Sequence, residues 1–201
     1  EACRQQRIWD DHLSSAGLQT PRLSINLSAR ELDDLDLIAR VRDTLERTDA
    51  DPSRICLELT ETALASRTEI SVTRLSQLRN LGLQLAIDDF GTGYSSLSAV
   101  LLFPVDILKF DRSFLTELDD HQGTERLLAG LELFARSLNL RTVVEGIETA
   151  KQRDALIELG FRYGQGFLFD RPLDVDVLTA QMSDPVAASH TLTSASKASS
   201  R

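Results

Sequence analysis

The chain has 201 residues, 42% apolar and 26% charged, a mix that supports one large globular domain or two small ones around a sizeable core. A formal net charge of −9 argues against a DNA or RNA polymer as partner, because affinity for such chains comes from Lys and Arg neutralising phosphates. A small phosphorylated ligand stays compatible where metal ions offset the acids. No run approaches the ~18 apolar residues of a membrane helix, no secretory pattern opens the chain, and Cys3 and Cys56 are too few for a disulfide framework, so a cytoplasmic setting is expected.

From the start, Glu1 to Leu13 reads as the middle of an amphipathic helix, so the sequence is expected to begin inside a larger protein whose other segments could hold regulatory domains or a membrane anchor. Six apolar, strand-like segments follow, near Leu23–Leu27, Ile55–Leu59, Leu83–Ile87, Val105–Phe110, Arg141–Val144 and Tyr163–Phe167. Helical patterns separate them. Leu35, Ile38, Val41 and Leu45 form one apolar face. Leu75, Leu78 and Leu81 form a second, and Leu127, Leu128, Leu131, Phe134, Ala135 and Leu138 form the clearest. Thr149 with Gln152 has the form of a capping box, and Val177, Leu178 and Met182 suit a short last helix. From Pro185 the chain turns small, polar and aperiodic. The expected organisation is one domain over 1–184 and a disordered tail over 185–201.

Alternating strands and helices imply a parallel sheet covered by helices. The spacing of the repeats suits a TIM-like (βα) barrel, incomplete here, with about six of eight βα units. A doubly wound sheet competes. It would place a G-x-G-x-x-G after the first strand, whereas Gly91-Thr-Gly93 comes late and has Ser96 where the third glycine belongs. Chemically capable residues also end every strand, rather than gathering at one switch point. Because side chains alternate along a strand, Ile55, Leu57 and Leu59 oppose Cys56, Glu58 and Thr60, and Leu83, Leu85 and Ile87 oppose Gln84, Ala86 and Asp88. The aliphatic set is expected to face the helices and the other set the barrel interior. The interior set turns polar at the strand ends: Asn26, Glu58, Asp88, Lys109 with Asp111, Glu145 and Gln165. The C-terminal rim is where barrel enzymes keep their catalytic residues.

Asp88-Asp89-Phe90-Gly91-Thr92-Gly93 is the most informative run. Two adjacent carboxylates repel unless they share a proton or a metal. A pair of divalent cations bridged by one carboxylate is a recurrent solution in phosphodiester hydrolysis. The plain alternative is a solvated acidic turn. The embedded Asp-Phe-Gly is not a kinase signature, since no Gly-rich loop, strand lysine motif or His-Arg-Asp precedes it. In Glu58-Leu-Thr60-Glu61, Glu58 suits a metal ligand, and Glu61 is expected to hold a neighbouring loop; capping of the following helix is the alternative. Lys109, flanking Phe110 with Asp111, is either a structural ion pair or an ammonium that orients water and stabilises charge on phosphate. Glu145-Gly146-Ile147-Glu148 ends the fifth strand. Oxygen-only donors of this kind suit Mg²⁺ or Mn²⁺ rather than zinc. His12, His121 and His190 fall away from strand ends, so a Ser-His-Asp triad has little support.

Six ordered runs resemble the EAL family of cyclic-di-GMP phosphodiesterases: Ser24-Ile-Asn26-Leu-Ser28, Leu57-Glu58-Leu-Thr60-Glu61, Asp88 through Leu97, Leu108-Lys109-Phe-Asp111-Arg112-Ser113-Phe114, Val144-Glu145-Gly146-Ile147-Glu148, and Gln165-Gly166-Phe-Leu-Phe169 before Arg171-Pro172. The resemblance implies a barrel that hydrolyses cyclic di-GMP to linear pGpG with two Mg²⁺ or Mn²⁺ ions in bacterial second-messenger signalling. It implies that Asn26, Glu58, Asp88 and Asp89 are metal ligands, with Asp88 bridging. Lys109 and Glu145 resemble the residues that position or deprotonate the attacking water. Asp111, Gln165, Glu61 and Glu148 resemble supporting residues, and the loop from Asp89 to Leu97 resembles one that couples metal binding to homodimerisation. The Glu-Ala-Leu run that names the family would stand before Glu1, together with two strands. This chain alone is therefore expected to be inactive, and a non-catalytic cyclic-di-GMP-sensing or protein-interaction barrel is the alternative.

Overall fold

The computed structural model describes residues 1–15, 17–18, 20–65, 69–92, 97–118 and 122–183. The expected tail over 185–201, together with Gly93 to Ser96, His121 and His190, lies outside the described residues. The chain divides into two units, Glu1–Lys109 and Phe110–Arg201.

The first unit opens on helix α1 (Ala2–Ser15), which buries Gln6, Trp9 and Leu13 along one side at helical spacing. Strand β1 (Leu23–Asn26) leads into a short helix α2 (Ala29–Leu32). Ser28 caps α2 in a reciprocal box: its hydroxyl accepts from Glu31 N, and the Glu31 carboxylate accepts from Ser28 N at 2.9 Å. The Ser28 hydroxyl also donates to Glu31 Oε2 at 2.6 Å, and this bond, with that from Ser28 N, favours the ionised acid and lowers the Glu31 pKa. Helix α3 (Leu37–Thr48) ends on Asp49 in the left-handed region. Leu35 is not part of its apolar face. It lies in the preceding turn and is 87% exposed, because the helix begins at Leu37, which takes over the buried position.

Strand β2 (Ile55–Thr60) is buried from Ile55 to Leu59 on both faces, which is why its sequence is nearly all apolar. It pairs in parallel with β1, Ser24 opposite Cys56 and Asn26 opposite Glu58. Helices α4 (Glu61–Ala65) and α5 (Glu69–Asn80) follow, with Leu75 and Leu78 of α5 fully buried. Strand β3 (Gln84–Phe90) pairs in parallel with β2, Leu57 opposite Leu85 and Thr60 opposite Asp88. Helix α6 (Leu97–Leu102) then leads to β4 (Ile107–Phe110), two residues shorter at its start than the sequence pattern predicts. The difference has a cause: Asp106 carries out its own bonding there. Its backbone N–H donates to Leu85 O at 2.9 Å, its carboxylate accepts from Leu85 N at 3.0 Å, and Arg79 contacts the other oxygen at 2.9 Å.

In the second unit, α7 (Ser113–Leu118) and α8 (Gln122–Ser137) precede β5 (Arg141–Val144). Helix α8 buries Leu128, Glu132 and Ala135; Glu132 is neutralised as a packing problem by accepting a hydrogen bond from the Thr142 hydroxyl at 2.5 Å. Helix α9 (Ala150–Glu158) starts on the Thr149–Gln152 capping box that the sequence shows. Strand β6 (Tyr163–Gly164) pairs in parallel with β5, and α10 (Val175–Ser183) follows. The predicted sixth strand, Tyr163–Phe167, stops at Gly164; Gly166 packs against the Ile147 backbone, and a turn follows in which Phe169 N donates to Gly166 O at 3.0 Å. Phe110 anchors this unit, fully buried and edge-on to Phe114 and Phe161 at ring separations of 5.8 and 5.6 Å.

Within each unit, consecutive strands are neighbours and every assigned pair is parallel. No order reversal of the doubly wound kind occurs in either. Parallel strands joined in sequence by helical crossovers are the TIM-like barrel pattern; six strands are described where eight close a barrel.

Candidate functional site

The first unit gathers its chemistry at the C-terminal ends of β1 to β4. Register alone sets Asn26 beside Glu58, one strand spacing apart, and Asp88 beside Thr60. Lys109 on β4 reaches both acids: its ammonium donates to Glu58 Oε2 at 2.8 Å and lies 2.8 Å from Asp88 Oδ1. The three side chains are 9%, 9% and 16% exposed, so solvent screens this contact little. The Asp88 contact is an ion pair rather than a directed hydrogen bond, and Asp88 Oδ1 is a buried carboxylate oxygen with no hydrogen-bond donor aligned on it.

Strand β3 pairs with β2 as far as Asp88 and ends two residues later at Phe90. Asp89 stands in the left-handed region at φ 53°, an arrangement that Asp tolerates and most side chains do not, and Gly91 follows at φ 102°. This break in strand geometry overrides the alternation that would set neighbours on opposite faces, and carboxylate oxygens of Asp88 and Asp89 come within 4.8 Å of each other. Glu61, buried at the start of α4, accepts a hydrogen bond from Gly91 N at 3.1 Å and so ties the turn to β2. The first unit thus brings together Asn26, Glu58, Asp88 and Lys109, with Asp89 and Glu61 in the adjoining turn.

The second unit holds a separate pair. Glu145 follows β5, and its N–H donates to Phe110 O at 3.0 Å. Gln165, one residue past β6 rather than within a strand, donates through Nε2 to Glu145 Oε1 at 2.7 Å. A carboxylate only accepts, so the amide orientation is fixed by chemistry. Gly146 (φ +73°) permits the Arg112 side chain to pass so close that any Cβ there would lie 2.4 Å from Arg112 Cβ. Glu148 is exposed, and its backbone N–H donates to Gln152 Oε1 at 3.0 Å.

Asp111 caps the turn into α7, its Oδ1 accepting from Ser113 N at 2.9 Å. Burial raises its pKa, but hydrogen bonds from Ser113 and the Arg112 charge outweigh that and leave it below the ordinary carboxylate value. A lowered folded-state pKa gives stability that is full above the unfolded value and is lost as pH falls through the folded one. The melting gap between wild type and Asp111→Asn should therefore be present at neutral pH and should close in acid. A gap that stays constant from neutral pH into the acid range removes Asp111 ionisation as its cause.

The EAL domain family matches residues 1–172, most of the chain. The chain belongs to the EAL domain family. Among its relatives, MucR of Pseudomonas aeruginosa, a bifunctional diguanylate cyclase/cyclic di-GMP phosphodiesterase, is 38% identical over 183 residues, 91% of this chain and 26% of that protein. The solved MucR phosphodiesterase in complex with c-di-GMP superposes with a TM-score of 0.80 at 38% identity, covering 88% of this EAL chain and 70% of that one. The Klebsiella pneumoniae BlrP1 manganese/cyclic di-GMP complex superposes with a TM-score of 0.73 at 30% identity, covering 83% and 42%. The fold is accordingly the TIM-like barrel class of the EAL family, incomplete at six strands. The EAL chain spans only 20–29% of the length of the curated relatives it matches.

Divalent cations fit the first unit's donors. Asn26, Glu58, Asp88 and Asp89 offer only oxygen, as hard cations prefer, and two buried carboxylates share a single ammonium, with one carboxylate oxygen lacking a directed donor. Sequence patterning missed the Asp106 pin on β3 in the first unit, and the packing of Gly164 and Gly166 on Ile147 in the second. An Asp before a strand and a Gly after one carry no signal of what they touch. Among the described residues, no helix is long and apolar enough to cross a membrane.

Proposed function

We propose that this EAL chain is the phosphodiesterase part of a protein that hydrolyses cyclic di-GMP to linear pGpG, using two Mg²⁺ or Mn²⁺ ions. The observation that carries the reading is the buried Glu58–Lys109–Asp88 cluster at the strand ends. A structural ion pair would need one acid; here two acids converge on one cation, with Asn26 in register beside Glu58 and Asp89 next to Asp88. Asn26, Glu58, Asp88 and Asp89 would hold the ions, which when bound supply positive charge against the charge developing on the phosphodiester.

The chain's own residues do the rest. Lys109 keeps the Glu58 and Asp88 carboxylates together and offers N–H donors to a phosphate oxygen or a water. Glu145 takes a proton from the attacking water as its oxygen bonds to phosphorus. The bond from phosphorus to the ribose 3′ oxygen breaks, that oxygen takes a proton from solvent while Glu145 returns its own to solvent, and the phosphate stays on the 5′ side, which gives pGpG. Glu61 braces the Asp89–Gly91 turn. Asp111 and Glu148 support the loops after β4 and β5. Two copies pair through the region after Asp89; the exposed Leu97, Leu101 and Leu102 of α6 support this. As a second-messenger enzyme it belongs in the cytoplasm, under the control of regulatory domains elsewhere in the protein.

The test is the full-length protein with cyclic di-GMP and Mg²⁺ or Mn²⁺, with separation of linear pGpG from substrate. Metal-dependent formation of pGpG, abolished by chelator, is the expected result. Tight cyclic di-GMP binding with no pGpG formed would replace hydrolysis by a sensing role.

A further inference from the structure

The second unit contains a small device around Ile147 whose parts all bear on Glu145. Ile147 is buried, its N–H donates to Gln165 O at 3.0 Å, and its carbonyl accepts from Leu168 N at 3.0 Å. Gln165 N donates in turn to Val144 O at 2.9 Å. The two segments, Val144–Ile147 and Gly164–Leu168, are therefore laced together by backbone bonds on both sides of Glu145 and Gln165. Their approach is close enough to need glycine. A Cβ on Gly166 would lie 2.2 Å from Ile147 O and 2.3 Å from Ile147 N, both backbone atoms that cannot yield, and a Cβ on Gly164 would lie 2.4 Å from Ile147 Cδ1.

The result of this lacing is a side-chain contact. It places the Gln165 amide 2.7 Å from Glu145 Oε1, although Gln165 is itself exposed and would otherwise sample many rotamers. An exposed glutamine gains little stability from a bond that water could replace. Its geometric effect is larger, because a carboxylate with one oxygen fixed by a donor presents the other in a constant direction. A base that must meet a water in line with a phosphodiester depends on that direction.

We infer that Gln165 is a positioning residue for Glu145, set within reach by the packing of Gly164 and Gly166 on Ile147. The inference rests on the proposed phosphodiesterase reading, and it assigns Gln165 to Glu145 rather than to the nucleotide. In the full-length protein, kcat and KM for cyclic di-GMP are measured for wild type, Gln165→Ala, Glu145→Gln and the double variant. Gln165→Ala should lower kcat by about 10- to 100-fold, the scale of a small misplacement, with KM changed by less than about twofold. In the Glu145→Gln background the same change should have no further effect. Gln165→Glu, which cannot donate, should be no better than the alanine variant. Gly164→Ala, whose only clash is with the flexible end of Ile147, should fold and should lower kcat in the same sense. A rise in KM as the main effect of Gln165→Ala, or a loss that persists undiminished beside Glu145→Gln, would show that Gln165 acts on substrate and would overturn the assignment. The Gln165 side-chain amide resonance is a readout independent of turnover. It should be shifted downfield in wild type and should lose that shift in Glu145→Ala. An amide insensitive to Glu145 overturns the inference even where pGpG is formed, whereas absence of pGpG with the amide coupled to Glu145 sinks only the hydrolytic reading.

Discussion

Asp89→Asn should reduce cyclic di-GMP turnover by about 10²-fold or more while leaving the fold intact. The substitution is unusually clean. Asp89 sits at φ 53°, and Asn is among the few side chains that accept this region as readily as Asp. The left-handed backbone that brings Asp89 beside Asp88 is thus preserved, as is the Gly91–Glu61 hydrogen bond that ties the turn down. Only one negative charge disappears, at a half-buried position next to the last residue of β3. A neutral amide oxygen is a far weaker partner for a divalent cation than a carboxylate. Turnover and thermal melting are to be compared in the same preparation of the full-length protein. Near-normal turnover would remove Asp89 from the mechanism, and a collapsed melting transition would make its role structural.

The legibility of the fold follows from which physical signals are local. The βα alternation could be read because strands and helices impose different periods on the same apolar residues, and Ile55–Leu59 and the α8 stripe show those periods plainly. The Thr149–Gln152 box could be read because capping is a matter of three-residue spacing. Leu35 was misplaced for a local reason too. It continues the helical spacing one turn too far, and nothing in the pattern says that the chain turns before Leu37. The pattern overextends the last strand because Phe167 looks like a strand residue, while the contact that constrains the chain is between Gly166 and Ile147, 19 positions earlier.

The candidate site divides the same way. Glu58, Asp88, Lys109 and Glu145 were visible as polar residues at the ends of apolar segments, a position that has meaning only because side-chain direction alternates. What alternation could not supply was partnership. It pointed Glu61 at a neighbouring loop without naming Gly91, 30 positions on, and it did not show that one ammonium would meet both Glu58 and Asp88 or that Gln165 would donate to Glu145 across 20. These contacts follow from register and crossover geometry, which the sequence encodes only through the whole fold.

Lys109→Met should lower the melting temperature of the divalent-free protein by on the order of 10 °C, and Mg²⁺ or Mn²⁺ should recover more of that loss than they add to wild type. Methionine is unbranched, apolar and only one heavy atom shorter than lysine, so it fills most of the space of the buried lysine stem. The ammonium is lost, and Glu58 and Asp88 then face each other at the strand ends with no cation between them, each at most 16% exposed. Removing one partner from a buried charge cluster costs about 3–5 kcal/mol, because the remaining charges stay desolvated without compensation. In a domain of 150–250 residues each kcal/mol is worth about 2–4 °C, which gives the expected size. Water can reach Asp88 in part and will reduce the loss toward the lower end. A divalent cation supplies the missing charge, and binding at about 100 times Kd adds roughly 2.7 kcal/mol to the folded state. In wild type the same cation enters a cluster already partly neutralised, so its gain is smaller. Melting curves of both proteins, with chelator and with each cation, decide the matter. Equal melting temperatures in chelator would mean that the Glu58–Lys109–Asp88 contacts contribute no net stability. An equal gain from cation in both proteins would mean that the ion binds elsewhere, and the assignment of Glu58 and Asp88 as its ligands would fall.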